Sequence, residues 1–153
     1  MASIIIDGYN LIGVLHKDLE KERHRLIERL SQYKKGKDHS IVVVFDGWKN
    51  GPPSESHSKE GGIEIIYSRL GERADSVIKR LLSTDRHHIV VTSDREIQAY
   101  AWSKNSVPIE AEEFLAVLEG SYESPDEPHS KGKGSARQLS KKEKAKRRAL
   151  EKL

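Results

Sequence analysis

Cysteine is absent from the 153 residues, which excludes disulfide frameworks, thiolate metal sites and thiol nucleophiles. That fits a reducing interior, and a cytoplasmic location is expected. Long apolar runs are missing as well. No segment approaches the ~18 consecutive apolar residues of a membrane-spanning helix, and the start shows no basic leader followed by an apolar stretch. No membrane association is therefore expected. A Gly-rich nucleotide fingerprint is absent, so no nucleotide cofactor is expected either. His87-His88 is the only adjacent histidine pair, and neighbours on a strand face opposite ways. All seven histidines are read as surface or structural groups. Ser93 lacks the His–Asp partners of a nucleophilic serine.

Charge, by contrast, is plentiful and unevenly placed. Charged residues make up 33% of the chain against 35% hydrophobic, with a net charge of +3. Residues 131–153 hold ten Lys or Arg against Glu143 and Glu151, so the remainder is net acidic. An acidic body with a basic tail suggests a grip for polyanions at one end and a separate use for the acids. The composition shift to Pro, Ser, Gly and Lys places a domain boundary near residue 122. Residues 123–138 are expected to be disordered. Residues 139–153 carry only a weak apolar stripe, and a run this basic is not expected to hold a helix without a partner.

The acids recur in one pattern. Ile4-Ile5-Ile6 runs into Asp7-Gly8, Ile41 to Phe45 into Asp46-Gly47, and Ile89-Val90-Val91-Thr92 into Ser93-Asp94. Short apolar runs of this kind read as strands buried on both faces of a parallel sheet. Between them, apolar residues at helical spacing predict helices over 11–35, from Glu72 and over 94–104, with Asp94 or Ser93 as an N-cap. Ile63 to Tyr67 is a further strand, Val107-Pro108-Ile109 a short edge strand, and Glu112 to Glu119 a last helix. Residues 47–62 show no periodicity and read as a long exposed loop. Within it, Trp48 is placed either to stack on an unpaired base or to pack on the sheet rim.

Parallel order brings Asp7, Asp46 and Asp94 to the C-terminal edge of the sheet, where ligands bind in open α/β folds. The helical wheel puts Asp75 on the edge of its apolar stripe, able to face the same cleft, and turns Glu72 outward. Several carboxylates in one cleft repel unless some are protonated or a cation is present. A hard divalent ion, Mg²⁺ or Mn²⁺, suits oxygen donors and promotes in-line phosphoryl displacement. Arg95 and Lys59 are candidate phosphate contacts, and Lys141, Lys142, Lys146, Arg147 and Arg148 supply the tail's cations. Two rival site types are not matched. A receiver domain needs an acid after the third strand, where Tyr67-Ser68 stands, and an Asp-x-Asp phosphatase needs one at Tyr9.

Asp7-Gly8-Tyr9-Asn10, Val44-Phe45-Asp46, Glu72-Arg73-Ala74-Asp75 and Thr92-Ser93-Asp94 together resemble the NYN domain, in its YacP-like branch of the PIN-like nuclease superfamily. The resemblance covers roughly residues 3–118. It implies a three-layer α/β/α fold with about five mainly parallel strands and a metal-dependent endoribonuclease site. It also implies that Asp7, Asp46, Asp75 and Asp94 form the acidic cluster, that Asn10 orients water or phosphate, and that Ser93 supports the site through its hydroxyl. RNA, mRNA above all, and the translating ribosome are the implied partners. The alternative is a PIN-like module that binds RNA or a ribosomal surface without cutting.

Overall fold

The structure, a computed structural model, describes residues 2–12, 18–47, 52–120 and 140–153. Six strands form one sheet: β1 (Ser3–Asp7), β2 (Ser40–Phe45), β3 (Ser56–Glu60), β4 (Ile63–Tyr67), β5 (Ile89–Val91) and β6 (Val107–Ile109). Their order is β3-β4-β2-β1-β5-β6. Every neighbouring pair is parallel except the β3–β4 hairpin. The helices are α1 (Gly8–Ile12), α2 (Leu19–Lys34), α3 (Ala74–Leu82), α4 (Arg95–Ser103), α5 (Ala111–Glu119) and α6 (Lys141–Lys152). This is the expected α/β sandwich, with the sheet buried between helices.

The apolar strands alternate between two cores. Ile4, Ile6, Val43, Phe45, Ile65 and Val91 face α2, α5 and α6, where Leu26, Leu30, Phe114 and Leu150 meet them. Ile5, Val44, Ile66 and Val90 face α3 and α4 through Val77, Ile78, Leu82, Ile97 and Ala101. Period-two alternation with both faces apolar is the pattern of a doubly covered parallel sheet.

The structure differs from the sequence expectation in three places. First, the sheet has six strands, because part of the expected loop over 47–62 is β3. Gly61 and Gly62, at φ +58° and +82°, form a two-residue hairpin turn of the kind that needs positive φ. Ser56 to Glu60 is polar because it pairs on one side only, and charge on an edge strand discourages further pairing. Trp48 lies outside the described residues. Second, the single helix expected over 11–35 is two: α1 starts directly from β1, and α2 starts at Asp18, whose side chain accepts the Lys21 N–H at 3.1 Å. Third, the basic end of the chain is a docked helix. Ala149 and Leu150 of α6 are buried in the larger core, and α6 lies against β6. Tyr33 and Lys37 donate to the Leu153 main-chain oxygen at 2.7 and 2.9 Å. The partner that this helix requires is the domain itself. Residues 121–139, which include the stretch expected to be disordered, lie outside the described residues.

Gly8 is fixed by packing. It opens α1 directly above β2, and a Cβ there would stand 2.5 Å from two Phe45 ring carbons and 3.1 Å from Val43. Phe45 is fully buried and has nowhere to go. Gly8→Ala is therefore expected to cost about 1–3 kcal/mol, the usual range for overpacking. Chemical denaturation measures it, and an unchanged midpoint would show that α1 can lift from the sheet freely.

Candidate active-site edge

The register sets the C-terminal edge. Asp7 lies level with Val44 of β2, so β1 ends just as β2 approaches Asp46. β5 ends at Val91, with Thr92, Ser93 and Asp94 turning into α4. β1 is central, flanked by β2 and β5, which places Asp7 between the other two acids.

Asp7 is partly buried, and burial is the main reason its pKa is pushed up to about 6. The charges of Asp94 and Asp46 push in the same direction, while hydrogen bonds from the Thr92 side chain and the Asn10 backbone pull it back. Thr92 is fully buried. Its hydroxyl donates to Asp7 Oδ2 at 3.2 Å and accepts the Asp94 N–H at 3.1 Å, so one side chain fixes both acids. Gln98 braces this turn, donating to the Thr92 carbonyl and to Glu110 Oε1, each at 2.9 Å.

Asp94 is the N-cap of α4. Its Oδ1 accepts the Glu96 and Ile97 N–H groups at 2.9 and 3.4 Å, as the sequence led one to expect. The Asn10 side-chain oxygen accepts the Ser93 N–H at 2.8 Å, tying α1 to the β5–α4 turn. The Ser93 hydroxyl accepts the Ala111 N–H at 3.2 Å, at the start of α5. Around Asp46, the buried Ser68 hydroxyl accepts the Gly47 N–H at 2.8 Å and donates to the Glu72 carbonyl at 2.6 Å. The loops after β2 and β4 are joined through it.

Asp75 stands in the first turn of α3, its Oδ1 accepting the Ser76 N–H at 3.0 Å. Its charge is felt, with that of Asp94, at Lys79. Glu72 has both oxygens in ion pairs, with Arg69 at 3.0 Å and Arg80 at 2.7 Å. Arg95 is exposed beside Asp94. Lys59 is not brought to this edge: it lies on β3, opposite Glu64, three strand spacings or ~14 Å across the sheet from β1. On α6, Lys141, Lys142 and Arg148 are exposed. Lys142 sits 5.5 Å from the Trp102 ring centroid, Lys146 lies 4.0 Å from Glu113, and Arg147 pairs with Glu151 at 3.5 Å. Sequence reasoning assigned no role to Thr92 or Lys79. Thr92 stood inside a quoted motif but read as one more β-branched strand residue, and Lys79 was visible only as the residue four beyond Asp75.

Whether these groups suit a metal ion turns on two observations. Asp7, Asp46 and Asp94 offer hard oxygen donors whose mutual repulsion a cation would relieve. Among the described residues, however, no three acidic or imidazole groups converge into a metal-holding set. The arrangement thus does not suit an all-protein cage. Its oxygen donors match in kind those of Mg²⁺ or Mn²⁺, which bind through one or two carboxylates and keep water and phosphate as remaining ligands. Among the described residues no helix is long and apolar enough to cross a membrane.

A mostly parallel sheet with acids along its C-terminal edge, covered by helices on both faces, is consistent with a nuclease-type α/β domain. The model of the YacP-like NYN domain matches residues 4–153, and the chain belongs to that family. It is 29% identical over 132 residues to the YacP protein of Bacillus subtilis (strain 168), covering 78% of this chain and 76% of that one. Two crystal structures of Rae1 (YacP) from Bacillus subtilis are similar. The W164L mutant has a TM-score of 0.63 at 25% identity, covering 79% of this chain and 77% of that one. The other has a TM-score of 0.62 at 26% identity, covering 79% and 75%.

Proposed function

We propose that the protein is a Mg²⁺- or Mn²⁺-dependent endoribonuclease of the cytoplasm that hydrolyses phosphodiester bonds of RNA, mRNA engaged with ribosomes among its substrates. The observation that carries this reading is the half-buried Asp7 carboxylate, held by Thr92 between the charges of Asp46 and Asp94. A site that served only to bind RNA would gain nothing by presenting carboxylates to phosphate. Membership of the NYN family supports the same class of chemistry.

One or two of the carboxylates of Asp7, Asp46 and Asp94 would hold the ion, with water and phosphate completing its shell and Asp75 at the rim beside α3. A bound Mg²⁺ or Mn²⁺ supplies charge neutralisation at the phosphodiester and a water acidified toward neutral pH. The protein's own part is positional. Thr92 keeps Asp7 oriented and fixes the Asp94 backbone, and the α4 cap sets the rotamer of Asp94. Asn10 and Ser93 act as the braces that hold α1, the β5–α4 turn and α5 in one frame. The exposed cations of α6, with Arg95, hold the RNA backbone through phosphates, without reading sequence.

The test is cleavage of single-stranded and ribosome-engaged RNA by purified protein, with Mn²⁺ or with EDTA, beside Asp94→Asn. Cleavage that requires the metal and leaves 5′-phosphate and 3′-hydroxyl ends is expected, with the variant inactive. Activity indifferent to EDTA, or equal in the variant, would overturn the reading. Robust RNA binding without cleavage under all conditions would favour the non-catalytic module.

A further inference from the structure

Beside the acidic edge stands a cation already held in place. Lys79 lies one helical turn after Asp75, on the side of α3 that packs against α4. Its Nζ donates to Glu96 Oε1 at 2.7 Å and lies 5.8 Å from the Tyr100 ring centroid. The Tyr100 hydroxyl in turn shares a hydrogen bond with Ser83 Oγ at 2.7 Å, pinning the two helices together below the lysine. The two partners differ in exposure: the Lys79 side chain is 28% exposed and that of Glu96 72%. The cation is held by its surroundings, and the carboxylate beside it is a loose, solvated partner.

We infer that Lys79 is a substrate-positioning residue that binds a backbone phosphate of single-stranded RNA next to the acidic edge, and that Glu96 occupies it until RNA arrives. Asp75 and Asp94 both lie within electrostatic reach of Lys79. A phosphate bound there would lie at the rim of the edge that carries those two acids. An acidic edge repels the polyanion it must cut, so a fixed cation at its rim answers a real energetic need. Exposed ion pairs contribute little to stability, so exchanging Glu96 for a phosphate costs little. Glu96 keeps the lysine extended and neutralised when no substrate is present. This inference rests on the RNA-cleaving reading of the same edge and assigns it one phosphate subsite.

The experiment measures binding of a labelled oligouridylate in EDTA, where no cleavage occurs, across roughly 50–200 mM salt. Lys79→Gln is expected to weaken binding about 5–10-fold and to flatten the log–log salt slope by ~0.7, the loss of one single-strand phosphate contact. Lys79→Arg is expected to restore both. Glu96→Gln is expected to tighten binding in the wild-type background, because the lysine is released, and to do nothing in the Lys79→Gln background. Loss of a general negative charge would instead tighten binding equally in both backgrounds, and that result overturns the proposal. So does a Lys79→Gln variant with unaltered affinity and slope. Cleavage in Mn²⁺ is scored separately: a wild type that never cuts sinks the nuclease reading, while the binding cycle judges the lysine alone.

Discussion

Replacing Asp7 with Asn is expected to raise the stability of the metal-free protein at neutral pH by ~2–3 kcal/mol while abolishing cleavage. The sign follows from the direction of the pKa shift. In the fold Asp7 titrates at about 6 against an ordinary 3.8, so folding disfavours its charged form. The unfolded chain releases this proton near pH 4 and the folded chain near pH 6. Stability due to this group therefore falls as pH rises across that window, and the deficit persists above it. Asn carries no such deficit. Other groups shape the full pH curve. His88, for instance, is buried with its pKa lowered mainly by that burial, and costs stability as pH falls below its ordinary range. That contribution is common to both proteins and cancels in the comparison.

Urea unfolding of wild type and Asp7→Asn in EDTA, at pH 4 and at neutral pH, reads the effect directly. The two should converge in acid and separate at neutrality. Added Mn²⁺ should then stabilise the wild type by mass action and leave the variant unmoved. Cleavage should fall by roughly 10³-fold or more, since several kcal/mol of charge stabilisation depend on the ion. A variant less stable than wild type at neutral pH in EDTA would show that the Asp7 charge is well accommodated without a cation.

The second large effect concerns α6. Leu150→Ala is expected to cost about 2–4 kcal/mol, a fall in melting temperature of roughly 10 °C. Leu150 is 7% exposed and Ala149 4%, in the core that also contains Leu30 and Phe114. Removing residues 140–153 should do at least as much, and should also uncover β6. Loss of RNA binding in such a truncation would thus mix a lost contact with a weakened fold. Charge-neutralising changes confined to the exposed Lys141, Lys142 and Arg148 separate the two. An unchanged melting temperature for Leu150→Ala would mean that α6 does not dock in solution.

Much of the architecture was legible because parallel strands buried on both faces leave unbroken apolar runs, as at Ile4-Ile5-Ile6 and Ile41 to Phe45. The acids that close those runs placed the site edge, and the Asp94 cap could be read from its position before Arg95. The elements that escaped share a physical reason: their structure is set by neighbours distant in sequence. β3 is a strand because β4 pairs with it, although Ser56 to Glu60 has neither alternation nor apolar character; the Gly61-Gly62 turn was its one local sign. α6 is anchored by Ala149 and Leu150, too few to form a convincing stripe until β6 is placed beside them. Asn10 and Ser93 could be named for the candidate edge from the sequence, but their hydrogen-bond partners, the Ser93 N–H and the Ala111 N–H, come from other elements. Thr92 reaches Asp7 across 85 residues of sequence, a pairing no local window contains.

The order in which the chain is made gives the α6–β6 contact another meaning. All six strand sequences exist once Ile109 has been synthesised, but the residues that cover the outer strand, Ala149 and Leu150, come roughly forty residues later. At translation rates of about 5–20 residues per second, β6 waits some seconds for its cover. A sheet that assembled before α6 docked would have β6 as a bare flank, shielded by little more than the shortness of the strand and Pro108 at its centre.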